Sequence, residues 1–235
     1  MKLFDEIIDT LPDFPIEDVR VGPFWSAVKS KNCGLSLTFP EPYRMFVRFS
    51  GEFIGKSAKK IAKLFSDSWN PTEAAIGVAA VNSLIDPDGE EMNALDYIAE
   101  ISQGKKVVFI GHFPRMDKIR KRAKSLVIIE KRMQQGDFPP ESTEFILPNS
   151  DIVVITGSVF ANRSYKRLLE LSEKSYTILI GPSVIMSDIL FDYGVDVLAG
   201  SKIINCEGGL NAVSQGGHLK DFSRFLKYIV KFRER

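Results

Sequence analysis

Five short, nearly unbroken runs of aliphatic and β-branched residues recur in the second half of the chain, and they restrict its fold more than any other feature. They are Lys106–Ile110, Leu126–Ile129, Asp151–Ile155, Tyr176–Ile180 and Val195–Leu198. A strand with one wet face alternates apolar and polar residues, whereas a run without alternation is covered on both faces. Helix-forming segments over 115–123, 141–147, 162–174 and roughly 184–191 separate the runs. Strand and helix in strict alternation predict a doubly wound parallel sheet. A last amphipathic stretch, with Leu219, Phe222, Phe225, Leu226, Ile229 and Val230 on one face, reads as a C-terminal helix.

The first half is patterned differently. Leu3, Ile7, Ile8 and Leu11 recur at helical spacing until Pro12. The segment from Val19 to Phe39 favours strands, and Ala58, Ile61, Ala62 and Phe65 then share a helical face opposite four lysines. Asn70-Pro71-Thr72-Glu73 opens another helix, with Asn70 as N-cap and Pro71 at the first helical position. From Ala74 to Val81 that helix is apolar nearly all round, so it is buried. After a helix over Asn93–Ser102, Gln103-Gly104 marks the expected boundary: an α+β domain at 1–104 and a Rossmann-like α/β domain at 105–235.

A chain of 235 residues is long enough for two such domains, and 44% hydrophobic with 26% charged residues suits a well-cored globular protein. Residues 1–104 hold 10 basic against 16 acidic side chains, while 105–235 hold 21 against 14. Opposite signs favour docking of the halves, and a basic half suits an anionic ligand; the competing reading is that both surfaces are simply solvated. No basic stripe is interleaved with stacking aromatics, so nucleic acid is not an expected partner. The acidic N-terminus carries no export signal, and no apolar run could span a bilayer. Two cysteines, Cys33 and Cys206, make no disulfide framework, which points to the cytoplasm.

Ligands of open parallel sheets bind beyond the carboxyl ends of the strands. The segments expected there are Gly111-His112-Phe113-Pro114, Glu130, Thr156-Gly157-Ser158, Gly181-Pro182-Ser183 and Gly200-Ser201. Small turns of this kind leave room for a ligand to approach the backbone, although Gly and Ser favour turns anywhere. One glycine where the dinucleotide fingerprint needs three argues against the usual pyrophosphate route. Glu130 lies 19 residues after Gly111, near where a Rossmann acid would take a ribose hydroxyl. His112 is the acid/base candidate, against the competing reading of a hydrogen-bonded structural histidine. Glu73 is a second catalytic candidate if it faces the cleft; as the third residue of a capping box it would return to the Asn70 amide instead. Two His and two Cys share no metal-ligand spacing, so the metal ligands, if any, stay unknown and would come from distant residues or from Asp188, Asp192 and Asp196.

Several motifs, in order, carry a resemblance to a known family. They include Gly22-Pro23-Phe24-Trp25-Ser26-Ala27-Val28, Asn70-Pro71-Thr72-Glu73-Ala74-Ala75-Ile76-Gly77 and Ala80-Val81-Asn82. In the second half they are Gly111-His112-Phe113-Pro114, Gln135-Gly136-Asp137-Phe138-Pro139, Ile155-Thr156-Gly157-Ser158, Gly181-Pro182-Ser183 and Phe191-Asp192-Tyr193-Gly194-Val195-Asp196. Over its whole length the chain resembles the "putative heavy-metal chelation" family. The resemblance implies an enolase-N-terminal-like domain joined to a Rossmann-like domain, with a site between them. It also implies condensation or hydrolysis of pterin-, flavin- or siderophore-like molecules. The expected ligand is a small molecule, nucleotide-like or a metal chelate, with no cofactor specified. Trp25 and Asn70 would serve the lid side, and Gly111, Phe113, Pro114, Glu130, Thr156, Gly157, Gly181, Pro182 and Ser183 the sheet side. The rival is a non-enzymatic carrier of a metal or metal chelate. Self-association stays open.

Overall fold

The structure, a computed structural model, describes residues 2–39 and 46–234. Helix α1 (Lys2–Thr10) leads into an antiparallel meander of β1 (Asp18–Val21), β2 (Trp25–Lys29) and β3 (Cys33–Leu37). Helices α2 (Ala58–Ala62), α3 (Leu64–Asp67) and α4 (Pro71–Leu84) follow, and α4 packs along β2 and β3. The sequence signals at α4 hold. The Asn70 side chain accepts from the amides of Thr72 and Glu73 at 3.0 and 3.4 Å, Pro71 opens the helix, and Ala74–Val81 is buried throughout.

Next come β4 (Glu90–Glu91), α5 (Ala94–Ile101), β5 (Lys106–Ile110), α6 (Asp117–Arg122) and β6 (Ser125–Ile129). After them are α7 (Thr143–Ile146), β7 (Ile152–Thr156), α8 (Tyr165–Leu171), β8 (Tyr176–Ile180), α9 (Ile189–Asp192) and β9 (Val197–Ile203). The chain closes with α10 (Cys206–Ser214), α11 (Leu219–Phe222) and β10 (Leu226–Phe232). These strands form one seven-stranded sheet in the order β4-β10-β9-β8-β7-β5-β6, parallel from β9 to β6. The doubly wound reading is therefore correct.

Both sheet faces are covered, as the unbroken runs require. Val153 and Ile155 of β7 enter a cluster with α4 and α1, while Ile152 and Val154 face a second cluster with Ile98 of α5 and Ile119 of α6. Helix α5 thus packs with the second half, although it lies ahead of Gln103-Gly104. A third cluster joins Trp25 and Leu35 of the meander to Leu210, Val213 and Phe222 of α10 and α11.

Three expectations need correction. The stretch from Leu219 is not one helix: it forms the single turn α11, a 3-10 turn, and then β10, which pairs antiparallel with β9 and β4. Its apolar spacing suits either period, and the open edge of β9 selects the extended form for the β-branched and aromatic Tyr228-Ile229-Val230. Gly200 and Ser201 lie inside β9 rather than in a turn beyond it, paired with Ile229 and Tyr228. Cys33 and Cys206 are joined in a disulfide across 173 residues, which linear spacing gives no means of seeing. Among the described residues no helix is long and apolar enough to cross a membrane.

Candidate functional site

Taken in order of appearance, the parallel strands β5 to β9 stand second-first-third-fourth-fifth across the sheet. The winding direction therefore reverses between β5 and β7, the place where a crevice opens in such sheets. Gly111 ends β5 with φ +100°, and Gly181 ends β8 with φ +119°, backbone values that side chains with a Cβ rarely adopt. The Thr156 side chain, at the end of β7, stands against Gly111. Gly157 lies so close to the Ser183–Val184 backbone that a Cβ there would overlap it. The Ser183 hydroxyl accepts from the Leu37 amide at 2.8 Å and so ties β3 of the first half to the same edge. Of the residues singled out by sequence, Thr156 ends a strand at this edge, and Gly111, His112, Gly157, Gly181, Pro182 and Ser183 follow strands there.

His112 and Asp137 make the edge's most pointed contact. Nε2 of His112 lies 2.5 Å from Oδ2 of Asp137, whose side chain is nearly buried while the His112 ring is partly open. Asp137 also accepts from the Gln134 amide at 2.7 Å. That amide and the His112 contact, against the pull of desolvation, hold the Asp137 carboxyl below its ordinary range. With Asp137 ionised, a neutral His112 ring would carry its proton on Nε2 and present Nδ1 as an acceptor. No described residue partners Nδ1. In the sequence Asp137 stands only within the Gln135–Pro139 motif; the one signal of its role there is a lone acid in a Gly-containing turn after a strand-end histidine.

The other candidates are placed as follows. Pro114 is exposed and precedes α6 rather than opening it, because Arg115 intervenes with φ +60°. A non-glycine residue in the left-handed region costs roughly 1–3 kcal/mol and tends to occur at functional sites. Phe113 packs on Phe109, with ring centroids 5.6 Å apart. The Glu130 carboxylate accepts from the amides of Lys131 and Arg132 at 2.7 and 3.1 Å through Oε1 and closes its own turn; Oε2 has no described partner. The backbone of Glu130 and Phe138 pairs, which folds the 131–137 loop back beside β6. Trp25 is buried in the third core cluster, 5.9 Å from Phe222.

Asn70 and Glu73 form a separate buried group. The Asn70 side chain donates to the Phe46 carbonyl at 3.1 Å. Glu73 does not return to the Asn70 amide, which bonds Ser68; its carboxylate accepts from the Arg48 amide at 2.6 Å and from the Arg48 guanidinium at 3.0–3.2 Å. This group connects to the sheet edge through Arg163, in the segment after β7, whose guanidinium donates to the carbonyls of Phe65 and Ser68. Arg48, Arg115 and Arg163 carried no signal in the sequence, since each acts through tertiary placement.

A cavity of about 640 Å³ opens at the opposite, amino-terminal edge, where Tyr165, Lys166, Glu173, Tyr193 and Arg233 mix both charges. Among the described residues no group of three or more His, Cys, Asp or Glu side chains could hold a metal ion.

The family model DUF364, described as "Putative heavy-metal chelation", matches residues 93–232, and DUF4213, with the same description, matches residues 4–85. No curated protein matches the chain. A DUF364-family protein of unknown function from Desulfitobacterium hafniense DCB-2 has a solved structure that is 26% identical, with 98% of each chain covered and a TM-score of 0.89. A second such protein, from Pyrococcus horikoshii, is 20% identical with the same coverage and a TM-score of 0.84, a likeness of fold. Matched in both halves, and by the larger model over more than half its length, the chain belongs to the family described as "putative heavy-metal chelation".

Proposed function

We propose that the protein is a small-molecule enzyme whose ligand binds at the carboxyl edge of the sheet, between the ends of β5 and β7. The contact between His112 and Asp137 carries this reading. A carboxylate that fixes the ring tautomer leaves Nδ1 able to remove a proton from a bound heteroatom. The resulting imidazolium, stabilised by Asp137, returns that proton to a leaving group. Condensation and hydrolysis both need this pair of transfers, which suits the pterin-, flavin- or siderophore-like compounds that the family resemblance implies. The free Oε2 of Glu130 is suited to a ribose or other diol, and the glycine turns at 111 and 181 let a ligand approach the backbone.

A directly held heavy metal does not fit the described residues at this edge. His112 already has one acid partner and no second ligand beside it, so no step here is assigned to a metal.

Mass spectrometry of small molecules released from the denatured protein would identify the ligand. With that compound, His112→Asn is expected to bind within a few-fold of the parent while turnover falls at least about 100-fold. Asp137→Asn should lower turnover with a changed pH profile. A parent protein that holds and releases the ligand unaltered would instead support a carrier, and unimpaired turnover in His112→Asn would overturn the reading.

A further inference from the structure

The cavity at the amino-terminal edge carries a group that no contact within the described chain explains. Tyr165, Lys166, Leu169, Glu170 and Glu173 line it, and their spacing puts them on one face of α8 and the turn that follows. Tyr165 is only 5% exposed, and its ring packs on Phe65 and Phe160, with centroids 6.2 and 5.6 Å away. Its hydroxyl has no hydrogen-bond partner among the described residues. Every fully enclosed side-chain polar atom among those residues does have one, so this hydroxyl keeps an accessible patch, and that patch lies on the cavity. The second phenol of the lining is occupied: Tyr193 donates to Glu6 at 2.6 Å.

Several charges of the lining are also left over. Glu170 is paired with Arg167, and Lys2 with Glu6. Lys166 and Glu173, and Arg233 and Asp192 from other elements, have no ion-pair partner among the described residues. Two unpaired bases with two unpaired acids suit a ligand that bears both charges better than an anion or a cation alone. Lys166 and Glu173 stand seven residues apart in sequence, about 10 Å at the helical rise. One amino acid is too short for that span, whereas three extended residues cover roughly 10 Å. Leu3 and Leu169 supply apolar surface, and about 640 Å³ is ample for a molecule of that size.

We propose that this cavity is a second ligand site, which binds a zwitterionic peptide of about three residues, its carboxylate at Tyr165 and Lys166 and its ammonium at Glu173. The Tyr165 hydroxyl donates to the carboxylate. Burial, with the Asp5 charge adding to it, pushes the phenol up, so it keeps its proton for that bond at neutral pH. The packed ring loses little freedom when the bond forms. This site lies at the edge opposite His112; the proposal goes beyond the carboxyl-edge reading and does not depend on it.

The test is calorimetric titration of the full chain with the tripeptide Ala-Leu-Ala, its N-acetyl form and its carboxyl-terminal amide, with amide NMR shifts reporting the location. One peptide per chain is expected, with shifts at Leu169 and Gly194 and none at Gly111 or Gly181. Each blocked peptide should bind at least about threefold more weakly. Tyr165→Phe, which keeps the ring packing, should weaken Ala-Leu-Ala about fivefold. Lys166→Met should weaken the free peptide about threefold but not the amide, and Glu173→Gln the free peptide but not the N-acetyl form. Thermal melts establish that each variant is folded. No binding of Ala-Leu-Ala at millimolar concentration, parent affinity in Tyr165→Phe, equal affinity for the blocked peptides, or shifts confined to the carboxyl edge would each overturn the proposal.

Discussion

Glu73 and Arg48 meet twice: the Arg48 amide and the Arg48 guanidinium both donate to one carboxylate that is almost wholly enclosed. Burial alone would raise the Glu73 carboxyl. Hydrogen bonds from Arg48 and Ser68, and the Arg48 charge, more than offset it and hold the group below its ordinary 4.5. The pair anchors the described chain after residue 45 to the first turn of α4.

Glu73→Gln keeps an acceptor for the Arg48 amide but loses the charge. Since the Arg48 side chain is partly solvated, the loss is expected to be about 2 kcal/mol, or roughly 4–8 °C in melting temperature. A lowered carboxyl pKa stabilises the fold above the unfolded-state value, and that contribution fades as pH falls through the folded value. The gap between parent and variant should thus hold steady from neutral pH to about 5 and shrink below 4.5. Denaturant melts across this range test it; a gap that widens in acid would refute the assignment.

Arg163 adopts φ +63° and sends its guanidinium to the Phe65 and Ser68 carbonyls, 4.9 Å from the centroid of the exposed Trp69 ring. Arg163→Met should cost about 2 kcal/mol, because charged donors to buried carbonyls are worth more than neutral ones. It should also change the emission of Trp69, while Trp25 remains buried. Fluorescence and urea melts on the same samples would read both effects.

Gly181 and Gly157 should fail for different reasons when changed to Ala. At Gly181 a Cβ would meet only the Gly157 nitrogen, at an ordinary 3.9 Å, but φ is +119°, so the cost is backbone strain of about 2–3 kcal/mol. At Gly157 the backbone value is ordinary, but the methyl group would overlap Ser183 and Val184. Gly157→Ala should therefore also weaken the Ser183–Leu37 tie, seen as faster hydrogen exchange of the Leu37 amide, while Gly181→Ala should not.

Much of the sheet was legible because a strand covered on both faces leaves an unbroken apolar run, and the cap at Asn70 is local chemistry. The turns at Gly111, Gly157 and Gly181 are legible for the same reason, since residues that follow a parallel strand stand at its carboxyl edge; Gly200-Ser201 is not, because β9 runs on to Ile203. What could not be read were relationships set by tertiary packing. Leu226–Val230 suits a helix as well as a strand until β9 offers its edge. Asp137 becomes a partner for His112 only when the loop folds back beside β6. Local spacing offers Glu73 the Asn70 amide or a cleft, whereas its partner, Arg48, is 25 residues away in sequence.

Reduction of the Cys33–Cys206 bond should lower the melting temperature without unfolding the protein at room temperature. Closing a loop of 173 residues contributes about 5 kcal/mol in the chain-entropy account, equivalent to a drop of roughly 10 °C or more. Calorimetry with and without reductant measures the shift, and Cys33→Ser should melt at the lower temperature in both buffers.

The first core cluster runs without interruption from Phe4 and Ile61 through Ala74–Val81 to Val153, Ile155, Leu179 and Leu198. Chain segments that would each leave a raw apolar flank if separated cannot swing apart as jaws do. Residues 4–85 or 93–232 expressed alone would bare part of this cluster, so each fragment is expected to be poorly soluble and the two together to recover the folded protein, which expression of each alone and of both together would test.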